Sequence, residues 1–237
     1  MRSFWLDIFR LFFPETCAVC GSPLPEGAHL VCTRCRWEMP LTGYAADRDN
    51  PVARKFWGLI PVESASAYLY FIGGSGYRRA IHDFKYRGAW RLCVELGRWQ
   101  GADLRASGLY ADVDVVVPVP LHPRKQLRRG YNQAGYLAEG IASELGLPVD
   151  RRSVARTVYN RSQATRSRNE RWDNVEGIFS LRRRHGLTGK HVLLVDDVLT
   201  TGATIASCAE AILHDAPGSR ISIATLAVSA REMERVK

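Results

Sequence analysis

Apolar residues along this chain change their period several times, and the changes mark out an alternating series of strands and helices. Val192 to Val195 is a continuous apolar run rich in β-branched residues, and Asp114-Val-Val-Val-Pro118 is a second. Runs apolar at every position predict strands buried on both faces, as in a parallel sheet. Ser222 to Val228 makes a further strand, and Ser64 to Ile72 alternates small or polar residues with aromatics until Gly73-Gly-Ser-Gly76 breaks it. Val154 to Val158 reads as a short strand and Ile178 to Leu181 as an edge strand. Helical spacing occupies Tyr77 to Phe84, Ala89 to Arg105, Asn132 to Leu145 and Ile205 to Leu213, with Gly146 a C-terminal stop. Pro40 to Pro61 is a mixed connector, Lys85-Tyr-Arg-Gly88 a turn, and Ser162 to Val175 a polar loop. Strands alternating with helices predict an α/β fold built on a doubly wound parallel sheet.

Composition narrows this only a little. With 237 residues the chain can hold one substantial core plus a small appendage. Its 46% hydrophobic and 24% charged content is that of an ordinary soluble globular protein. The net charge of +9 favours polyanionic partners, phosphate-rich substrates or nucleic acid, through steering rather than specific recognition. Met1 to Phe13 is apolar and aromatic, interrupted by Asp7 and Arg10. It is too short to span a bilayer and no small-residue cleavage site follows it. It reads as an amphipathic helix docking on the protein body, a partner or a membrane surface. No other stretch has transmembrane length, so the expected location is cytoplasmic, with a peripheral position at the inner membrane as the second option.

Four of the six cysteines form two C-x-x-C pairs, Cys17/Cys20 and Cys32/Cys35, with eleven residues between them. Four thiolates in this arrangement suit a closed tetrahedral Zn²⁺ site, structural because no coordination position stays open. An iron–sulfur cluster also uses four cysteines and is the alternative. Disulfides would need an oxidising compartment, for which there is no signal. Cys93 and Cys208 fall in helical apolar patterns and read as core.

The most informative stretch is His191-Val-Leu-Leu-Val-Asp-Asp-Val-Leu-Thr-Thr-Gly-Ala203, followed by Thr204. An apolar strand, two carboxylates, a Thr- and Gly-rich loop and a helix start describe an anion site, because backbone N–H groups and the helix dipole converge there. Asp196 and Asp197 beside it suit hydrogen bonds from vicinal sugar hydroxyls. No Gly-Lys-Thr/Ser follows, so this is not a Walker loop. The pattern resembles the 5-phosphoribosyl-1-pyrophosphate motif of type I phosphoribosyltransferases. Two basic stretches extend it. After the strand Val115 to Val117 comes Pro118 to Gln133, where Arg124, Lys125, Arg128 and Arg129 cluster beside Asn132 and Gln133, a surface for a pyrophosphate leaving group. Arg156-Thr157, and then Gln163 to Asn174 with Arg166, Arg168 and Arg171, read as a basic loop that closes over a phosphorylated substrate.

Taken in order, the cysteine pairs, Phe84-Lys-Tyr-x-Gly88, Pro118-Val-Pro-Leu-His-Pro123, Arg129-Gly-Tyr-Asn-Gln-Ala134, Gln163…Arg171-x-x-Asn174 and Val195-Asp-Asp-Val-x-Thr-Thr-Gly-Ala-Thr204 resemble the ComF family. The resemblance implies a type I phosphoribosyltransferase-like core with a small zinc-binding N-terminal module. It divides the chain into the helix and knuckle at 1–40, a connector and hood-like segment at 41–110, and the core at 111–237. It also implies a link to natural competence, with single-stranded DNA or other DNA-uptake proteins as partners. By the resemblance Asp196 and Asp197 form the catalytic pair that holds the ribose hydroxyls. Val198, Leu199, Thr200, Thr201, Gly202, Ala203 and Thr204 bind the 5-phosphate side of phosphoribosyl pyrophosphate. Arg124, Lys125, Arg129, Arg166 and Arg171 face the pyrophosphate, and Mg²⁺ accompanies the substrate. No residue stands out as a base for an acceptor, so two functions stay open: a phosphoribosyltransferase of unknown acceptor, or a DNA-uptake protein that retains the pocket without catalysis.

Overall fold

The computed structural model of the chain describes residues 15–25, 27, 29–83, 90–158, 177–183 and 186–229. In chain order they form helices α1 (Thr33–Trp37), α2 (Pro51–Arg54), α3 (Gly76–Asp83), α4 (Trp90–Ser107), α5 (Pro123–Arg129), α6 (Gln133–Leu145) and α7 (Ala203–Asp215). The strands are β1 (Ser64–Phe71), β2 (Val115–Pro118), β3 (Val154–Arg156), β4 (Phe179–Leu181), β5 (His191–Leu199) and β6 (Arg220–Ser229). Four strands make one sheet in the order β1-β6-β5-β2, every pair parallel, and β3 and β4 make a separate antiparallel ribbon.

The apolar run of β5 earns its central place because both of its faces are covered. Leu193 and Val195 point into a core shared with α4 and α6, while Val192 and Leu194 point into one shared with α2 and α7. The predicted doubly wound architecture is therefore present, as a sheet between two helical layers. The cysteine module is part of the first core: Cys17, Val19, Val31, Cys35 and Met39 pack with Leu69, Tyr77 and Leu96. At the amino ends of the strands a buried polar group locks β5 to its neighbours. His191, 1% exposed, has Nε2 2.9 Å from the Ser222 hydroxyl and Nδ1 3.1 Å from Asp112. Its backbone N–H donates to Asp114 Oδ2 at 2.7 Å, and Asp112 also pairs with Arg220 at 2.8 Å.

Several elements differ from the sequence expectation. The basic stretch after β2 is not all loop: Pro123–Arg129 is helical. The His122 ring accepts from the Arg124 N–H at 3.2 Å, Pro123 takes the first turn, and Gly130 ends the helix at φ 82°. The prolines that punctuate the sequence here start a helix as well as end a strand. The connector Pro40 to Pro61 holds a 3₁₀ turn at Tyr44–Ala46 and helix α2. The aspartate-bearing strand runs four residues past Val195, to Leu199, and the short strand β3 stops at Arg156 rather than Val158. Segment 41–110 supplies β1, an edge strand of the same sheet as 111–237. The expected N-terminal helix Met1 to Phe13, the turn Lys85 to Gly88 and the basic loop 162–175 lie outside the described residues.

Helices α4 and α6 pack through glycine. A Cβ at Gly140 would stand 2.1 Å from the Val94 carbonyl oxygen, and one at Gly97 would stand 2.3 Å from that of Leu137. Backbone against backbone at this distance leaves no room for a methyl group. Alanine in a helix ordinarily stabilises relative to glycine by about 1 kcal/mol, so the sign is diagnostic here. Gly140→Ala is expected to destabilise the fold by about 1–3 kcal/mol, read as a lower urea midpoint at unchanged slope.

Candidate functional site

Ligands of open α/β sheets bind beyond the carboxyl ends of the strands, and in this protein that edge is irregular at one level. The β5–β6 pairing includes Asp196 with Thr225 and Val198 with Ala227, and the β1–β6 pairing includes Ala67 with Thr225 and Leu69 with Ala227. Asp197, Leu226 and Tyr68 stand between these pairs, side by side across three strands. Strand alternation slips there: Leu193 and Val195 face the α4–α6 core, and so does Val198, which should point the other way. Two carbonyls at this level also accept from side chains outside the sheet. Buried Gln100 of α4 donates Nε2 to the Thr225 carbonyl at 2.9 Å, and the Thr42 hydroxyl donates to Ala67.

The two carboxylates sit at this slip and leave the strand on opposite sides. Asp196 acts electrostatically on Arg156 and on Cys208 of α7, whereas Asp197 acts on Cys93 of α4. Each carboxylate is half-buried and shapes the backbone beyond it. Asp196 Oδ1 accepts from the Asp197 N–H at 2.9 Å, and Asp197 Oδ1 accepts from the Val198 N–H at 2.8 Å. Burial raises both thiols, that of Cys93 to about 12, so neither is a nucleophile near neutral pH.

Past Leu199 the chain turns through Thr200 and Thr201 into α7. Gly202 is the residue before the helix, left-handed at φ 85°, and has no side chain of its own to cap it. The Ala203 N–H points to the Thr201 hydroxyl at 3.4 Å. A helix start entered through glycine and two hydroxyls offers donors, with the positive end of the helix dipole behind them. The predicted cradle residues Val198 to Thr204 thus lie together on one strand end, one turn and one helix start.

The predicted pyrophosphate side is assembled from two places. Arg124 and Lys125 lie on the first turn of α5, and Asn132 ties the end of that helix to β2 by donating to the Val119 carbonyl at 3.1 Å. Arg129 Nη1 donates to Gln133 at 3.4 Å, and its Nε is buried with no acceptor. Arg156, at the end of β3, joins them. Its guanidinium lies 5.4 Å over the Phe179 ring, and its Nε is also buried without an acceptor. Burial pulls its pKa below the usual arginine value, with the Asp196 carboxylate opposing that pull. His122 is lowered by burial and by Arg124, Arg156 and Lys125, so its ring is neutral at pH 7. Sequence reasoning named Arg156 only as the start of the basic loop; the adjacent strand β3 was the available signal. It missed Lys55 altogether, whose ammonium donates to the Thr200 carbonyl at 2.8 Å. Arg166 and Arg171 lie outside the described residues.

A second constellation lies in the N-terminal module. The Sγ atoms of Cys17, Cys20, Cys32 and Cys35 all lie within 4.8 Å of one another, and all four thiols are free. The backbone N–H of Cys32 donates to Cys17 Sγ at 3.3 Å, and that of Cys35 to Cys32 Sγ at 3.5 Å. Such N–H donors favour thiolates, so the group can hold a metal ion. Among the described residues no helix is long and apolar enough to cross a membrane.

The chain is similar to known proteins over most of its length. Residues 127–237 match the phosphoribosyl transferase domain, a stretch that includes β5, α7 and β6 but neither β1 nor β2. Competence protein F of Haemophilus influenzae is 37% identical over 203 residues, covering 82% of this chain and 89% of that protein. DNA utilization protein YhgH of Escherichia coli K12 is 29% identical over 203 residues, covering 84% and 78%. Competence protein ComFC of Bacillus subtilis is 28% identical over 214 residues, covering 89% and 76%. A solved hypoxanthine-guanine phosphoribosyl transferase from Leishmania donovani aligns over 62% of this chain and 72% of its own at a TM-score of 0.34 and 18% identity.

The turn into α7 can be probed directly. A Cβ at Gly202 would meet the Phe56 ring at 3.2 Å, in a backbone conformation that L-residues adopt only at a cost of roughly 1–2 kcal/mol. Gly202→Ala is expected to lower the thermal midpoint and to speed amide exchange at residues 199–204, with exchange in β2 unchanged.

Proposed function

Since the chain belongs to the ComF family of competence proteins and carries a phosphoribosyltransferase domain, we propose that it binds 5-phosphoribosyl-1-pyrophosphate together with Mg²⁺. The observation that carries this reading is the glycine-led start of α7 at the end of the central strand, reached directly from two half-buried carboxylates. In this reading the backbone N–H groups and hydroxyls of Thr200 to Thr204 hold the 5-phosphate. Asp196 and Asp197 accept hydrogen bonds from the ribose hydroxyls. Arg124, Lys125, Arg129 and Arg156 receive the pyrophosphate, and the two buried Nε groups gain acceptors there. Arg166 and Arg171 belong to the same basic set by sequence. The carboxylates are hard oxygen donors that fit Mg²⁺, which would neutralise charge on the phosphates when bound. Acting as a transferase, the site would stabilise the departing pyrophosphate while C1 of the ribose gains positive character.

Calorimetry is expected to show Mg²⁺-dependent binding of phosphoribosyl pyrophosphate. The double change Asp196→Asn with Asp197→Asn should weaken it by about tenfold or more, since hydrogen bonds to charged groups contribute about 1.5–3 kcal/mol. Unaltered binding by that variant would defeat the assignment.

For the cysteine module we infer structural Zn²⁺. Cys20 Sγ and Cys32 Sγ are 3.8 Å apart, close to the edge of a tetrahedron with bonds of about 2.3 Å. Thiolates on the separate irons of a cluster would stand further apart. Metal analysis is expected to give about one zinc per chain, lost on Cys17→Ser with Cys35→Ser. The relatives' names point to DNA use and competence, and a role in DNA uptake is proposed on that basis. One observation favours direct contact with single-stranded DNA: Trp37 ends α1 with 90% of its surface exposed, beside Arg34 and Arg36. An exposed indole among arginines is a stacking platform. Oligonucleotide binding should fall steeply with salt and weaken in Trp37→Ala.

A further inference from the structure

The segment Asn50 to Ile60 lies outside the matched phosphoribosyltransferase domain, yet it is built onto the loop that bears that domain's motif. Its anchor is Asn50, 1% exposed. Asn50 Oδ1 accepts from the N–H groups of Val52 at 2.9 Å and Ala53 at 3.1 Å. Its Nδ2 donates to the carbonyls of Asp47 at 2.6 Å, Ala65 at 2.7 Å and Tyr44 at 3.2 Å. One side chain thereby fixes the start of α2 against β1. Just beyond α2, Phe56 is fully buried and lies under Gly202, where an added Cβ would touch the ring at 3.2 Å. Phe56 thus seats this segment against the phosphate turn, and its neighbour Lys55 reaches the rim, with Nζ 2.8 Å from the Thr200 carbonyl oxygen.

The chemistry of the turn says what that ammonium is for. From Asp196 to Thr204 the motif carries two acids and no lysine or arginine. A Walker loop contains its own lysine to meet phosphate charge; this loop does not. A phosphate monoester held by the N–H groups that follow Thr200 would sit within a residue or two of that carbonyl, and consecutive Cα atoms are about 3.8 Å apart. An ammonium on a flexible four-carbon stem has three donors and covers such a distance by changing rotamer. We propose that Lys55 is a binding residue of the phosphate cradle, a cation delivered in trans along the sequence to the 5-phosphate of the bound phosphosugar. The assignment rests on the phosphosugar reading of the site and goes beyond it. Lys55 takes the place of the missing loop lysine, and the Asn50–Phe56 platform holds it there.

Calorimetry with three probes separates the possibilities: ribose 5-phosphate, which has the 5-phosphate alone, phosphoribosyl pyrophosphate with Mg²⁺, and pyrophosphate with Mg²⁺. Lys55→Met is expected to weaken the first two by about tenfold to a hundredfold, as for loss of a charge-assisted contact, and to leave pyrophosphate within about twofold. Lys55→Arg should restore most of the affinity. Lys55→Gln retains a donor for the Thr200 carbonyl but no charge, and is expected to behave as Lys55→Met does. Wild-type affinity in Lys55→Gln or in Lys55→Met would overturn the proposal, the former by reducing Lys55 to a strut for the turn. Equal losses for all three probes would overturn it too, as a general defect. If the wild-type protein binds neither ribose 5-phosphate nor phosphoribosyl pyrophosphate, the phosphosugar reading itself falls, and this one with it.

Discussion

A strand buried on both faces cannot carry charge along its length, so whatever ionic chemistry it presents must be held at its end. That constraint governs this protein. β5 is apolar from Val192 to Val195 and carries two consecutive carboxylates immediately after, before it has finished pairing with β6. Regular alternation sends consecutive side chains to opposite faces, so one carboxylate leaves toward each of the two cores. The local slip at Asp197, Leu226 and Tyr68 occurs at this level. There the sheet also accepts hydrogen bonds from outside, from Gln100 of one helix and Thr42 of the connector. The site is thus a place where the sheet stops being regular and neighbouring elements donate to its carbonyls.

Much of this was legible in the sequence, and for identifiable reasons. The long apolar strands and the amphipathic helices α4, α6 and α7 impose their periods over enough residues to be read directly. The Asp-Asp-Val-Leu-Thr-Thr-Gly stretch is local, so its strand, turn and helix arise from neighbours in the chain. What was hidden depends on partners far away. Lys55 meets Thr200 across 145 positions, and no local pattern marks it. Arg156 earns significance only because β3 ends beside Asp196 and His122. Helix α5 was obscured because its cap is a histidine, an unusual choice whose ring happens to reach the Arg124 N–H.

The amino-terminal half is bound into the same structure rather than appended to it. β1 pairs along β6, α4 closes on α6 through glycine, and the cysteine module buries Cys17 and Cys35 in the core under those helices. A metal in the knuckle would therefore brace the face of the sheet that Asp197 approaches, while the Asn50–Phe56 platform braces the face toward Asp196. Each side of β5 has its own support, and each support comes from residues that precede the matched domain.

The charge distribution follows from the same division. In the proposed reading the turn receives phosphate while holding two carboxylates and no cation, so it would repel its ligand unless positive groups converged from elsewhere. Here they come from separate segments: Lys55 after α2, Arg124, Lys125 and Arg129 on α5, and Arg156 at the end of β3. In that reading, drawing cations from distant segments would let each approach a different part of an extended anion, which a single lysine within the loop could not do. It would also make ligand affinity depend on the relative placement of those segments. Any change that shifts α2 or β3 against β5 should alter binding even when the motif itself is untouched.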